Sequence, residues 1–411
     1  MSGGYKQSQL GNIPKDWLIS TIEKEANICT GGKDTQDKVD DGLYPFFVRS
    51  NTIERINSYS FDGEAVLTSG DGVGVGKIYH YLDCKFDYHQ RVYNIHNFSK
   101  NLNGKFFYYF FSNHFYQRVM RLSAKNSVDS VRRNMISEME IPLPPLPEQQ
   151  KIAEILSTVD TKIEVIDQQI SKTQELKKGL MQRLLTKGIG HTEFKDSPLG
   201  EIPKGWEVAN LGDISEVKGR IGYRGYTKAD LVEKGEGALA IGGAQISKEN
   251  RLNLTKPVYL NWEKYEESPE IKVNVGNIVF AQRGTLGRTA LIESLPERAT
   301  INPSMVLIKN ITCNNKLLFY YLCSSHVQNI VSSISTSTAV PMISQKQIKA
   351  FKIGLPPMNE QERIAEILSS VDDKSVLLNE KKKTYKKLKQ GLMQQLLTGK
   401  VRVKINNSVS A

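Results

Sequence analysis

Residues 141–186 recur at 353–398 with an offset of 212 that never slips, and 24 of the 46 aligned positions are identical. Leu143-Pro144-Pro145 answers to Leu355-Pro356-Pro357, and Ile152-Ala153-Glu154-Ile155-Leu156-Ser157 answers to Ile364-Ala365-Glu366-Ile367-Leu368-Ser369. Gly179-Leu180-Met181-Gln182 likewise answers to Gly391-Leu392-Met393-Gln394. An internal repeat limits the fold more than composition can, because each copy is one structural unit. Two copies also imply a pseudo-two-fold plan, which suits a target with two halves. A further match extends the repeat: Leu10-Gly11-Asn12-Ile13-Pro14-Lys15-Asp16-Trp17 resembles Leu199-Gly200-Glu201-Ile202-Pro203-Lys204-Gly205-Trp206, now at an offset of 189. The order is module, helix, module, helix, and the second module is longer by 23 residues, the difference between the offsets. The modules diverge while the helical segments hardly do, so two different constraints act on them.

Apolar spacing predicts the helices. Ile152, Leu156, Val159, Ile163, Ile166 and Ile170 step by four and three, the seam of a long helix packed on another. Ile364, Leu368, Val371, Leu378, Tyr385, Leu392 and Leu396 continue the seam in the second copy, where Ser375 and Lys382 interrupt it and predict looser or locally solvated packing. Pro147 suits a first helical turn, Asn359 with Glu362 predicts a capping box, and Gly188 and Gly399 look like stop signals. Each helix of about 39 residues would span about 58 Å. Neither is stable alone in water, so the two are expected to pack on each other. Antiparallel pairing would put the modules at opposite ends of a rod. Gly179 and Gly391 sit inside these helices at a cost of ~1 kcal/mol each. They are either tolerated or mark close approach to a partner.

Both modules read as mixed α/β. Gly276–Ala281 and Ser304–Ile308 are strand-like in the second, Glu64–Thr68 and Arg91–Ile95 in the first. Short helices are expected over Lys105–Leu122 and Asn315–Ser332. The fold class expected is therefore α+β: two mixed α/β modules separated by two long, antiparallel, coiled-coil-like helices. The divisions are a first module over 1–140, a helix over 141–190, a second module over 191–352, a helix over 353–400 and a tail over 401–411.

Charge permits a polyanionic partner without establishing one. Lys and Arg number 55 against 44 Asp and Glu. The net charge is +1 over 1–140, +1 over 141–190, +4 over 191–352 and +5 over 353–411. Cys29, Cys84, Cys313 and Cys323 show neither metal-ligand nor disulfide-framework spacing. The six histidines pair with no Cys, Asp or Glu at ligand spacing, so no metal is expected. No apolar run approaches the ~18 residues that span a bilayer. A soluble, reducing, cytoplasmic setting fits these features.

The order of domains, the Ile-Pro-Lys-x-Trp lead-in, the Pro-Pro-x-x-Glu-Gln turn and the Leu-Leu-Thr exit resemble the specificity subunit of type I restriction–modification systems. The resemblance covers nearly the whole chain. It implies that each module is a target recognition domain reading one half of a split duplex DNA sequence. It also implies that the helices form an antiparallel spacer docking two methyltransferase subunits, which bind S-adenosylmethionine, and through them ATP-driven motor–nuclease subunits. By the same resemblance Pro144, Pro145, Glu148 and Gln149, with Pro356, Pro357, Glu360 and Gln361, mark the start of each spacer helix. Ile152, Leu156 and Gly179, with Ile364, Leu368 and Gly391, complete the spacer and docking set. The cluster of lysines at 381–383, 386, 387 and 389 belongs to the second helix only, as a solvated face or a phosphate contact.

Gly70 to Lys77 invites a phosphate-loop reading and fails it, with Asp71 where the first glycine belongs and Ile78 where Ser or Thr is required. Gly284-Thr285-Leu286-Gly287-Arg288 stands at the equivalent place in the second module. A glycine turn ending in Lys77 or Arg288 suits a DNA contact or a simple tight turn. Loop residues of base-reading types are Lys33, Ser69, Gln90 and Arg91 in the first module, and Arg220, Arg224, Gln245, Arg283 and Asn302 in the second. Phosphate contact or a solvated side chain is the alternative at each. Arg132-Arg133 is a phosphate-binding or plain surface pair. Tyr79, Tyr81, Tyr88, Tyr93, Tyr108 and Tyr109 are expected to build core rather than stack on bases. The Pro-Pro pairs follow leucines, so the Asp/Asn-Pro-Pro-aromatic tetrapeptide of adenine methyltransferases is missing, as are a Walker A loop and a nuclease carboxylate–lysine cluster. Catalysis is therefore expected in other chains, with no cofactor here. The alternatives are a self-contained restriction–methylation enzyme and a helical scaffold binding protein or RNA.

Overall fold

The computed structural model describes residues 4–8, 10–72, 74–123, 130–336 and 341–405, so Val73 of the glycine loop and residues 406–411 of the tail lie outside the described residues. The fold is α+β, in two compact units. One comprises Met1–Gln168 with Glu380–Ala411, the other Gln169–Asn379. Each unit thus holds one module and half of each long helix.

The first long helix is Leu146–Lys187 and the second Met358–Leu396. Pro145 and Pro357 set both starts, because each carbonyl accepts the N–H groups of the Glu and Gln that follow (Glu148 and Gln149, Glu360 and Gln361). The expected box between Asn359 and Glu362 does not form. The helix already begins at Met358, and the Asn359 side chain instead accepts from Glu360 N at 2.8 Å. Gly188 and Gly399 close the helices at φ 64° and 67°, which a side chain resists.

In the first unit a six-stranded sheet runs in the order Asn27–Thr30, Val92–His96, Phe61–Ser69, Tyr79–Tyr88, Tyr44–Phe47, Ile53–Ile56. A module helix, Gly104–Leu122, buries Phe106, Phe107, Phe110, Phe111 and Phe115 in a core shared with Ile152, Leu156 and Leu396. Tyr79, Tyr81, Tyr93, Tyr108 and Tyr109 belong to this core, and Tyr88 to a smaller one. The helix halves run antiparallel here: Asp160 pairs with Lys389 at 2.6 Å, and Asp167 with Lys382. Lys382 therefore fills its gap in the apolar seam with an ion pair.

In the second unit a four-stranded sheet (Glu216–Gly219, Met305–Lys309, Ile278–Ala281, Thr289–Leu291) accompanies a five-stranded one built around Gly237–Ile241 and Ala299–Ile301. The helix expected over 315–332 is two, Asn315–Cys323 and Ser325–Thr336, because Ser324 takes an extended backbone and ends the first. Their core includes Leu184, Leu185, Ile364 and Leu368 from the long helices.

Candidate nucleic-acid interface

The motif residues at the helix starts are committed to holding module to helix. Glu148, 1% exposed, accepts the Trp17 indole N–H at 3.2 Å, and Glu360 accepts that of Trp206 at 3.1 Å. Gln149 donates to Pro144 O and Asn101 O and accepts from Asn103 N, the residue capping the first module helix. Gln361 repeats this, donating to Pro356 O and accepting from Asn314 N, the cap of Asn315–Cys323. The third partner differs between copies. Arg402 binds Glu148 and Asp16 in the first unit, whereas His191 binds Glu360 at 2.9 Å in the second. The Arg402 guanidinium holds the Asp16 carboxyl below its usual range.

Deeper along the helices a second arrangement recurs. Tyr109 donates to Asp160 at 2.8 Å, and Lys389 pairs with Asp160 and lies over the Tyr109 ring. Tyr320, Asp372 and Lys177 repeat it, with Tyr320 donating at 2.9 Å and the ion pair at 2.6 Å. Burial, then the adjacent carboxylate, raises both phenols well above their ordinary range. Gly179 and Gly391 are open: a Cβ at either would meet nothing within 4 Å among the described residues.

These anchors support loops at strand ends. In the first unit Ser69, Gly70 and Val92 adjoin across paired strands, and Gly70 N donates to Arg91 O. Gln90 N donates to Lys33 O, and the Gln90 side chain donates to Asp34. Asp71 sits between Arg49 and Arg91, at 3.2 and 3.8 Å. Lys33, Gln90 and Arg91 thus share one loop cluster, which also brings in Arg49. Lys77 is exposed over the Tyr116 ring at 5.2 Å. Arg132 and Arg133 are exposed where a short helix begins, next to Val131, whose N–H donates to Gly70 O. Ser69 is buried and donates to Asp71 O, so it serves the turn and cannot reach a ligand. His89 is buried beside this cluster, and burial followed by the Arg49 charge lowers its pKa.

In the second unit Gly219 pairs with Val306 and Ala281 with Met305, so the loops that follow these strands leave the sheet at one end. Exposed Arg283 lies there, bridged to Met342. Arg288 donates to Gly243 O and Ile246 O, tying its loop to the neighbouring one. Asn302 accepts from Ser304 through both N–H and hydroxyl. Two expected readers are spent inside the fold. Gln245 is buried, accepting from Gly242 N and donating to Lys256 O. Arg220, 8% exposed, donates to Ser268, Thr300 and Arg224 O, and burial lowers its pKa. Arg224 is half-buried and pairs with Glu270 at 3.3 Å. Sequence spacing missed Arg49, the Tyr–Asp–Lys sets and Arg402. Arg49 carries no motif, but Asp160 and Lys177 are identical to Asp372 and Lys389 at the 212 offset, and Arg402 follows Gly399 as His191 follows Gly188, three residues after each stop glycine.

Among the described residues no group of three or more His, Cys, Asp or Glu is placed to hold a metal ion, and no helix is long and apolar enough to cross a membrane. Residues 14–175 and 203–387 each match the type I restriction modification DNA specificity domain. The chain belongs to this family. Among its relatives are the putative type I restriction enzyme MjaX specificity subunit and the MjaVIII specificity subunit of Methanocaldococcus jannaschii. Each is 28% identical, over 97% of this chain and 97% and 96% of their own lengths. The type I restriction–modification S subunit from M. genitalium has the same fold, with a TM-score of 0.65 and 17% identity over 96% of this chain and 99% of that one. As a type I specificity subunit the chain follows its family over both copies of the repeat.

Proposed function

We propose that this specificity subunit binds a bipartite duplex DNA target and itself catalyses neither methyl transfer nor cleavage. One observation carries the reading: identical anchors, Trp17–Glu148 and Trp206–Glu360, support loop clusters of different composition in the two units. A common frame with unlike loops fits two half-sites of unlike sequence. The Lys33, Lys77, Gln90, Arg91, Arg132 and Arg133 group reads or grips one half, and Arg283 and Asn302 the other, with Arg224 and Arg288 bracing the loops around them. Both long helices contribute to both units, so their length governs the gap between half-sites. Their exposed faces, including open Gly179 and Gly391, receive two methyltransferase subunits that bring S-adenosylmethionine, and motor–nuclease subunits that bring ATP join through these.

The experiment replaces residues 1–140 with the equivalent module of another specificity subunit and maps modified adenines in cells carrying the methyltransferase partner. One half-site should change while the other stays. An unchanged map, or change in both halves, refutes the division of labour. Methyl transfer by the isolated chain would instead favour a self-contained enzyme.

A further inference from the structure

We infer that Tyr223 is a specificity-determining residue, its ring contacting base edges or a base step within the half-site assigned above to the second unit. The inference rests on that DNA-binding reading. Tyr223 is 80% exposed, the most exposed of the large apolar or aromatic side chains among the described residues. Leaving a ring in water is unfavourable, and the local structure is built to keep it there.

Arg220 does this work. The fold buries its charge, at a desolvation cost a surface loop does not require, and its Nε meets no acceptor among the described residues. Its other guanidinium nitrogens reach Thr300 at 3.2 Å, Ser268 at 3.2 Å and Arg224 O at 3.3 Å. The guanidinium also lies against the Tyr226 ring. The short 3-10 turn Gly222–Arg224 is thereby clamped at both ends, with Arg224 N donating to Ile221 O and the Arg224 side chain paired with Glu270. Arg220 and Arg224 therefore act as positioning residues, and what they position is Tyr223, with the Arg224 guanidinium 5.4 Å from its ring centre.

The turn follows Gly219, so it leaves the sheet at the end that also carries Arg283 and Asn302. A preordered exposed ring among phosphate- and base-binding side chains suits apolar contact with a thymine methyl or wedging at a flexible step. The first unit offers Gly31-Gly32-Lys33 at the corresponding turn and no aromatic residue, so the contact belongs to one half-site only.

The test uses the complex of this chain with its methyltransferase subunits, mapped first as wild type. A single undivided site there would overturn the bipartite reading itself, whatever the variants do. Y223F should behave as wild type. Y223A should lose roughly tenfold in affinity for the cognate duplex, with an unchanged salt slope. It should also relax base preference at one or two positions of one half-site. Wild-type affinity and preference in Y223A would overturn the inference. So would a loss of affinity in Y223F as large as in Y223A with base preference intact, which marks a hydroxyl contact to phosphate, or loss of methyltransferase assembly, which marks a protein contact.

Discussion

The indole N–H of Trp17 meets a carboxylate oxygen of Glu148 at 3.2 Å across 131 residues of chain. Glu148 is buried and also receives Arg402, which bridges to Asp16. Substituting E148A strands the buried indole donor and leaves Arg402 with Asp16 alone, and should destabilise the first unit by about 2 kcal/mol. Hydrogen exchange resolved by segment should place the loss in the first unit and leave 169–379 protected. Uniform loss across both units would show that the anchor is not local.

Asp16 adds a pH dependence to the same anchor. Its carboxyl is depressed in the folded state by the hydrogen bond from Arg402. Its contribution is therefore present above the ordinary carboxylate range and is lost as pH falls through the depressed value. Half-exposure limits it to less than ~1 kcal/mol. D16N should flatten the acid limb of first-unit stability below about pH 4 and leave the second unit unchanged; an acid limb identical to wild type would exclude this pair.

The paired phenols act at the other end of the scale. Tyr109 and Tyr320 are raised by burial and by the carboxylates of Asp160 and Asp372. A raised tyrosine favours the folded state only below its unfolded value, so stability should fall as pH rises beyond about 10. D160N and D372N remove a charge next to each phenol and should move tyrosinate absorbance to lower pH. Each should also cost about 1 kcal/mol through the weakened Lys389 or Lys177 pair. A single tyrosinate step at the ordinary value in the folded wild type would contradict both sites.

Periodicity and repetition made the long helices, their antiparallel pairing and several strands legible from sequence. The same alignment holds a finer signal: positions 163–175 share no identity with 375–387, while Ile152, Leu156, Leu184 and Leu185 and their counterparts match. The conserved ends are those packed into module cores, whereas the middle answers mainly to the facing helix. Residue type alone could not separate Arg283, exposed, from Arg220 and Gln245, buried, because that depends on which carbonyls a distant loop presents. Tyr223 escaped for the opposite reason. Tyrosines such as Tyr109 and Tyr320 are core, whereas the turn clamped by Arg220 leaves this one outside.

Loop lysines and arginines differ in what holds them, and salt dependence can tell them apart. Lys77 is exposed, and Arg91 meets Asp71 only at 3.8 Å, so both are available to phosphate. K77A and R91A should each weaken binding evenly across sequences and reduce the slope of log K against log salt by about 1, through one fewer released counterion. Arg288 spends its guanidinium on Gly243 O and Ile246 O. R288A should weaken binding by loosening two loops, lowering discrimination between sequences while leaving the slope near wild type. If R288A lowered the slope as K77A does, its charge would be on phosphate, and the two carbonyl bonds would have to break when DNA binds.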